Sequence, residues 1–121
     1  MNVKYTKDHE WVKLEGDNAL VGITAFAADQ LGDIVFLDVN TVGETLEKEE
    51  VFGTIEAVKT VSDMLLPMSG EIVEFNEALE ANPGLINSDP MGEGWIIKMK
   101  VSEPAEFETL LTEEQYKEII G

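Results

Sequence analysis

Frequent turn signals divide roughly the first hundred residues of this chain into short segments, and this spacing limits the fold more than any other feature. Residues 16–18, 67–70 and 82–84 are built from glycine, proline, serine, asparagine and aspartate with few other residues, a composition that favours tight turns. The segments between them are rich in valine, isoleucine and aromatic residues, which favour strands. The sequence therefore predicts a mainly β fold.

The predicted strands are short, and most contain β-branched residues. They are residues 10–14, 19–23, 34–39, 51–58, 61–66, 71–75 and 95–101. The first two flank a turn-rich segment and predict a hairpin. Residues 57–60, by contrast, contain no glycine, proline, asparagine or aspartate. The pattern alone leaves open whether residues 51–66 form a hairpin, one long strand or a helix.

Two regions favour helices. A short helix is predicted near 25–31, because Thr24 can cap its first turn and Gly32 can end it. Helices are also predicted near 103–120, where apolar residues recur at helical spacing and a capping box begins at Thr112. We expect these carboxyl-terminal helices to cover one end of the β core.

The chain is long enough for one modest core and too short for two. We therefore expect residues 1–121 to form a single domain. Cysteine is absent, which excludes disulfides and thiolate metal sites and fits a reducing compartment. No apolar run approaches the length of a membrane span. We expect a cytoplasmic location, or the mitochondrial matrix if a targeting segment has been removed.

The charge balance limits the class of partner. Eight cations, all of them lysine, stand against 25 acids, which gives a net charge of −17. Without arginine the chain lacks the residue best suited to grip phosphates, and a strongly acidic surface is repelled by nucleic acid. The composition is compatible with partners that have basic surfaces and equally with an acidic surface that serves solubility alone.

Residues typical of catalysis or metal binding are scarce. His9 is the only histidine and has acids on either side of it, so it cannot form a histidine pair for a metal, and a structural or solvent-facing role is expected. No Gly-x-Ser-x-Gly segment marks a hydrolase nucleophile. The sequence therefore predicts neither an enzyme nor a metal site.

Lys59 is the position that most needs a functional explanation. It is the only cation between Lys48 and Lys98, and Glu56 and Asp63 lie three and four residues away from it. A lysine that attacks carbonyl groups is activated by burial or by a neighbouring cation, and the sequence around Lys59 offers acids instead. We interpret Lys59 as an attachment point that another protein modifies.

The residues around Lys59 resemble the lipoyl-attachment motif of the glycine cleavage system H-protein family, a family of lipoyl carriers. The matching motif runs Glu-Ala-Val-Lys-Thr-Val-Ser-Asp over residues 56–63, and the likeness continues through residues 67–79. Further blocks resemble this family in the same order along the chain. They are Tyr5 with residues 9–11, then residues 21–24, 31–36, 87–90 and 92–96.

This resemblance implies a fold and a cofactor. The fold is a barrel-sandwich hybrid of the lipoyl- or biotinyl-carrier type, with two curved half-barrel sheets. The cofactor is lipoate, joined to Lys59 by an amide, with Glu56, Val58 and Ser62 as the flanking residues of the motif. The enzyme that attaches it would be a lipoate ligase or a lipoyl or octanoyl transferase.

The resemblance also implies a function without catalysis by the chain itself. The lipoyl arm carries the aminomethyl group of glycine from the pyridoxal-phosphate-dependent glycine decarboxylase (P protein) to the folate-dependent aminomethyltransferase (T protein). Dihydrolipoyl dehydrogenase (L protein) then reoxidises the arm. Glu10 matches a cleft acid to which this family gives a role in holding the aminomethyl group, with Asp63 matching an acid nearby. We expect both to stabilise its ammonium charge.

Other functions remain compatible with the same lysine. A biotin carrier usually has methionine on both sides of the modified lysine, whereas Val58 and Thr60 flank Lys59. A lipoate relay to ketoacid dehydrogenase complexes, or a lipoate-binding carrier for another pathway, would use the same residues. In a different class, the chain would be an acidic adaptor on which Lys59 is an ordinary surface lysine.

Overall fold

The computed structural model describes residues 3–120, which form nine strands and four α-helices. The strands are β1 Val3–Tyr5, β2 Glu10–Glu15, β3 Asn18–Ile23, β4 Ile34–Asp38, β5 Thr45–Leu46, β6 Val51–Ala57, β7 Val61–Leu65, β8 Gly70–Phe75 and β9 Ile97–Val101. The helices are α1 Ala25–Leu31, α2 Ala78–Ala81, α3 Leu85–Ser88 and α4 Glu113–Ile120, with a 3₁₀ helix at Pro104–Thr109.

The strands form two antiparallel sheets, which confirms the mainly β prediction. The larger sheet has the order β1-β2-β3-β9-β8-β5, and the smaller has the order β4-β6-β7. Neither sheet closes on itself within the described residues. Side chains alternate between the faces of a strand, so each sheet offers one face to a shared core.

The core is continuous between the two sheets. Buried side chains of the smaller sheet, such as Phe52, Ile55 and Met64, belong to the same cluster as Ile72 and Met99 of the larger one. Each of these five side chains is at most 2% exposed. The other face of the smaller sheet therefore points to solvent, which is where the residues around Lys59 lie.

The carboxyl-terminal segment differs from the prediction. The apolar set at Phe107, Leu110 and Leu111 was expected to be helical, but only a 3₁₀ helix forms and it ends at Thr109. Leu111 instead pairs with Tyr5 through two backbone hydrogen bonds of 2.8 and 2.9 Å. Pairing with the edge of β1 satisfies backbone groups that would otherwise be unpaired, and it overrides the helical spacing.

The capping residues act as predicted. The Thr112 hydroxyl accepts from the Gln115 backbone N–H at 3.2 Å, and the Gln115 side chain accepts from the Thr112 N–H at 3.0 Å. At α1, the Thr24 hydroxyl accepts from the Ala27 N–H at 3.2 Å. Gly32 ends that helix with a φ of 84°, a conformation that glycine adopts easily.

Helix α4 is anchored by Tyr116. Its ring stacks on Tyr5 with the centroids 4.9 Å apart. Its hydroxyl is hydrogen-bonded to Thr24 at 2.7 Å and to the His9 Nδ1 at 2.8 Å. His9 also packs against the Phe26 ring. These contacts give His9 a structural position beneath the last helix.

Candidate functional site

Lys59 lies in the tight connection between β6 and β7. The last strand pair is Glu56 with Val61, and the Ala57 N–H donates to the Thr60 carbonyl at 2.8 Å across the turn. Beside it, the Val58 N–H donates to the carbonyl of Asp33, just before β4, at 3.1 Å. The hairpin interpretation of residues 51–66 is therefore the one that the fold adopts.

The side chain of Lys59 is free to project from this turn. Val58, Lys59 and Thr60 are all exposed. Within residues 3–120, no carboxylate lies within ion-pair distance of the Lys59 ammonium. A flexible four-carbon stem on a rigid hairpin can present its amine to another protein without breaking any contact of its own.

Strand β7 leads away from this turn towards a cavity. Val61 and Asp63 are exposed on its outer face, whereas Met64 is buried on its inner face. Leu65, at the end of the strand, lines the cavity. The strand itself, Val61–Leu65, spans roughly 13 Å at the rise of an extended strand.

The cavity has a volume of about 370 Å³ and is mostly apolar. Its apolar lining includes Leu65, Leu66 and Pro67 together with Leu110 and Leu111. Its size is in the range of small-ligand pockets. Polar groups enter it from the β1–β2 connection and from Lys48 and Glu49.

Glu10 is the buried acid of this cavity. It is only 5% exposed, and its carboxylate accepts a hydrogen bond of 2.6 Å from the Thr6 hydroxyl. Burial is the main cause that raises the pKa of Glu10, to about 7; nearby Asp8 raises it further, while the hydrogen bonds from Thr6 and from the Leu65 backbone oppose the shift. Near neutral pH, a charge placed in the cavity therefore shifts the balance between the protonated and ionised forms of Glu10.

The predicted site residues fall into two places. Lys59 and the motif residues Glu56 and Val58 lie at or beside the turn, and all three are exposed. Ser62 is half-buried on β7, with its hydroxyl 3.4 Å from the Asp63 carbonyl. Asp63 lies along the strand between the turn and the cavity, outside the set of residues that line it.

Glu10 is in the cavity, beside Leu65 at the end of β7 that is farther from Lys59. Thr6 was not predicted as a site residue. Its contact with Glu10 depends on a bend at His9, which has a φ of 70°. Non-glycine residues adopt this conformation infrequently, and nothing in the sequence around His9 indicates it.

No group of three or more potential ligands among His, Asp and Glu side chains is close enough to hold a metal within residues 3–120. In the same part of the chain, no helix has the length and apolar character needed to span a membrane.

Comparisons with known proteins agree on one family. The family model described as "Glycine cleavage H-protein" matches residues 3–121. The glycine cleavage system H protein of Bacteroides fragilis is 62% identical over 120 residues, covering 99% of this chain and 95% of that protein. The corresponding protein of Bacteroides thetaiotaomicron is 61% identical with the same coverage.

A solved structure gives the same result for the fold. The crystal structure of a glycine cleavage system H protein from Mycobacterium marinum superposes with a TM-score of 0.84 at 40% sequence identity. The match covers 97% of this chain and 94% of that one. On the evidence of the family model, the relatives and the shared two-sheet fold, this chain belongs to the glycine cleavage H-protein family.

Proposed function

We propose that Lys59 is the residue that carries lipoate in this protein, through an amide bond, and that the protein presents this arm to each enzyme of glycine cleavage in turn. The family consists of lipoyl carriers that have no catalytic activity of their own and hold lipoate covalently on a lysine. As a member, the protein works with the P, T and L proteins of the system.

The observation that carries the assignment is the geometry of the turn. Lys59 is exposed in a hairpin turn that is fixed by hydrogen bonds from Ala57 and Val58. A carrier lysine needs a rigid base and a mobile end, because tethering raises the effective concentration of the arm at a docked enzyme without requiring tight binding. Lys59 meets both requirements.

The surface near Lys59 also suits lipoate as the attached group. When bound, lipoate supplies a dithiolane whose sulfur can take up the one-carbon amine fragment of glycine. The apolar lining of the cavity, from Leu65 to Pro67, suits an aliphatic chain laid along β7. Val61 and Asp63 mark the outer face that such a chain would follow.

We propose that Glu10 balances the charge of an ammonium group that reaches the cavity. A cation near this buried carboxyl would favour its ionised form, so its proton would be released as the cation enters. Thr6 would hold the carboxylate in place by donating its hydroxyl hydrogen. Asp63 would add negative charge along the approach.

The attachment enzyme is proposed to be a lipoate ligase or a lipoyl or octanoyl transferase. We also propose a cytoplasmic location. Its support is that the matched relatives named above are bacterial proteins.

The assignment can be tested with the purified chain, a lipoate ligase, ATP and lipoate. The native chain should become lipoylated and then support glycine–bicarbonate exchange by the glycine decarboxylase. Lys59→Arg keeps the positive charge but cannot form the amide, so it should support neither. Lys117→Arg, at another exposed lysine, is the control and should match the native chain. Activity retained by Lys59→Arg would refute the assignment.

A further inference from the structure

An apolar surface surrounds the turn that holds Lys59. The fold leaves nine large hydrophobic side chains exposed within the described residues, and four of them are Val35, Phe36, Val58 and Val61. We call these four residues the turn patch. Phe36 is 56% exposed, Val61 is 61% exposed and Val58 is 70% exposed.

The register of the smaller sheet explains why they lie together. Glu56 of β6 is paired with Phe36 on one side and with Val61 on the other, so the three residues form one row across the sheet. Strands are spaced by about 4.8 Å, which places Phe36 roughly 10 Å from Val61. This row is the last one before the turn that spans all three strands.

A bulge in β4 adds Val35 to the patch beside Phe36. The pairing of β4 with β6 shifts between Ile34 and Phe36, and both Val35 and Phe36 are exposed. A regular strand would direct one of two consecutive residues inward. A bulge redirects side chains locally, and bulges are over-represented next to functional sites.

The charges around the patch indicate what kind of surface would cover it. Exposed acids accompany the apolar residues, with Glu56 in the middle of the row, Asp33 beside the turn, and Asp38 and Asp63 on the strands at either side. The three strands of this sheet contain no lysine, arginine or histidine. A complementary surface is apolar with basic residues at its edge.

The position of the patch selects among the possible partners. The Lys59 amine is five bonds from its Cα, roughly 6 Å, so an enzyme that reacts with the amine itself must bring its own surface against the turn. An enzyme that reacts with the far end of an attached arm has no such requirement. The patch is therefore placed for contact with the enzyme that makes the modification.

We infer that the turn patch is the docking surface for the enzyme that acylates Lys59, and that this enzyme meets it with an apolar surface edged by basic residues. The inference rests on the proposed attachment of lipoate to Lys59. In that reaction the lysine nitrogen attacks the carbonyl carbon of a lipoyl-adenylate. The C–N bond forms, the C–O bond to the phosphate breaks, AMP leaves and two protons pass from the nitrogen to bases of the enzyme.

The experiment measures how fast a lipoate ligase, with ATP and lipoate, acylates the unmodified full-length chain and its variants. Phe36→Ser and Val61→Ser should each lower kcat/KM at least about tenfold, mainly through a higher KM, because they remove apolar contact at the docking surface. Val73→Ser is the matched control, since Val73 is an exposed valine on β8 of the other sheet. It should react at the native rate.

Two further measurements separate docking from general damage. Val58→Ser changes a turn residue outside the paired strands, and it should also lower kcat/KM while the thermal unfolding midpoint stays near the native value. The native rate should fall as salt is raised, because the charges around the patch are exposed. Variants that are lipoylated by long incubation should be reduced by NADH and dihydrolipoyl dehydrogenase at the native rate.

The outcomes distinguish this inference from the proposed function. If Val61→Ser and Val73→Ser are acylated equally fast, the turn patch is not the docking surface, although attachment at Lys59 still stands. An equal loss in the dehydrogenase reaction would also overturn the inference, because the patch would then serve partners in general. If the ligase leaves the native chain unmodified, both proposals fail.

Discussion

At the scale of single residues, the two main groups of the site differ in burial: the Lys59 ammonium is exposed and the Glu10 carboxyl is buried. Lys59 projects from a turn without a partner among residues 3–120, whereas Glu10 is enclosed by the cavity with the Thr6 hydroxyl on its carboxylate. The first can be modified without loss of stability. The second is kept in a less favourable environment, which is expected of a group that serves binding rather than folding.

Glu10 should therefore make stability depend on pH in a defined direction. Its pKa is raised from 4.5 to about 7 in the folded protein, so between these values the folded state holds a proton that the unfolded state has released. Rising pH then favours unfolding across this window. The destabilisation is complete above about pH 7, and its upper bound is of the order of 3 kcal/mol.

Glu10→Gln removes this titration. The free energy of unfolding of the variant, minus that of the native protein, should increase as the pH rises from about 4.5 to about 7. Above about pH 7 this difference should stay constant. Urea unfolding at several pH values measures the difference. Glu114→Gln, at an exposed acid of α4, serves as the control. A difference between Glu10→Gln and native protein that does not change with pH would show that Glu10 titrates at its ordinary value.

At the scale of elements, the sequence predicted those structures that are coded locally. The Thr112–Gln115 capping box and the Thr24 cap are formed by residues three apart, and both are present. The turn at Lys59 is not coded in this way. It depends on a hydrogen bond from Val58 to Asp33, which is distant in the chain, so turn chemistry alone could not separate a hairpin from a long strand.

The carboxyl-terminal segment failed to follow its pattern for a similar reason. Leu111 has the spacing of a helical residue, but the free edge of β1 offers it two backbone hydrogen bonds with Tyr5. The cavity could not be predicted either, because it brings together the β1–β2 connection, the end of β7 and residues 109–111. The motif around Lys59 is local and can be seen in the sequence, whereas the surroundings of Glu10 are assembled by the fold.

Close pairing of β8 with β9 gives a prediction for Gly70. A Cβ added there would overlap the Lys100 carbonyl oxygen and the end of the Met99 side chain, and a backbone atom cannot move aside without disturbing the sheet. Gly70→Ala should therefore lower the free energy of unfolding by about 2 kcal/mol. Chemical denaturation measures it.

Gly84→Ala is the control for this substitution. Gly84 has helical dihedral angles, and its nearest neighbour would be the Asn82 side-chain oxygen at 3.3 Å. The free energy of unfolding of Gly84→Ala should stay within about 1 kcal/mol of the native value. Equal effects at the two glycines would mean that β8 and β9 are not packed as closely as described.

At the scale of the whole molecule, the dominant feature is unbalanced charge. The net charge is −17, and the four ion pairs described within residues 3–120 have separations of 3.6 to 4.0 Å at largely solvent-exposed positions. Such pairs contribute little. The repulsion among acids therefore opposes folding.

Salt should consequently stabilise the protein. Raising the ionic strength from about 0.01 M to about 0.15 M shortens the screening length from roughly 30 Å to roughly 8 Å, which weakens repulsion among the acids. The thermal unfolding midpoint should rise by several degrees, and by the same amount in NaCl and KCl because screening depends on ionic strength. A midpoint that is unchanged or lower in salt would contradict this view of the surface.

The central claim is that one of the eight lysines, Lys59, carries the arm. The most direct measurement is fragmentation mass spectrometry of the chain after it is expressed together with a lipoate ligase. The account predicts the mass of one lipoyl group on the peptide that contains Lys59 and on no other lysine. A lipoyl group on a different lysine, or a chain that stays unmodified although the ligase acts on another carrier, would contradict it.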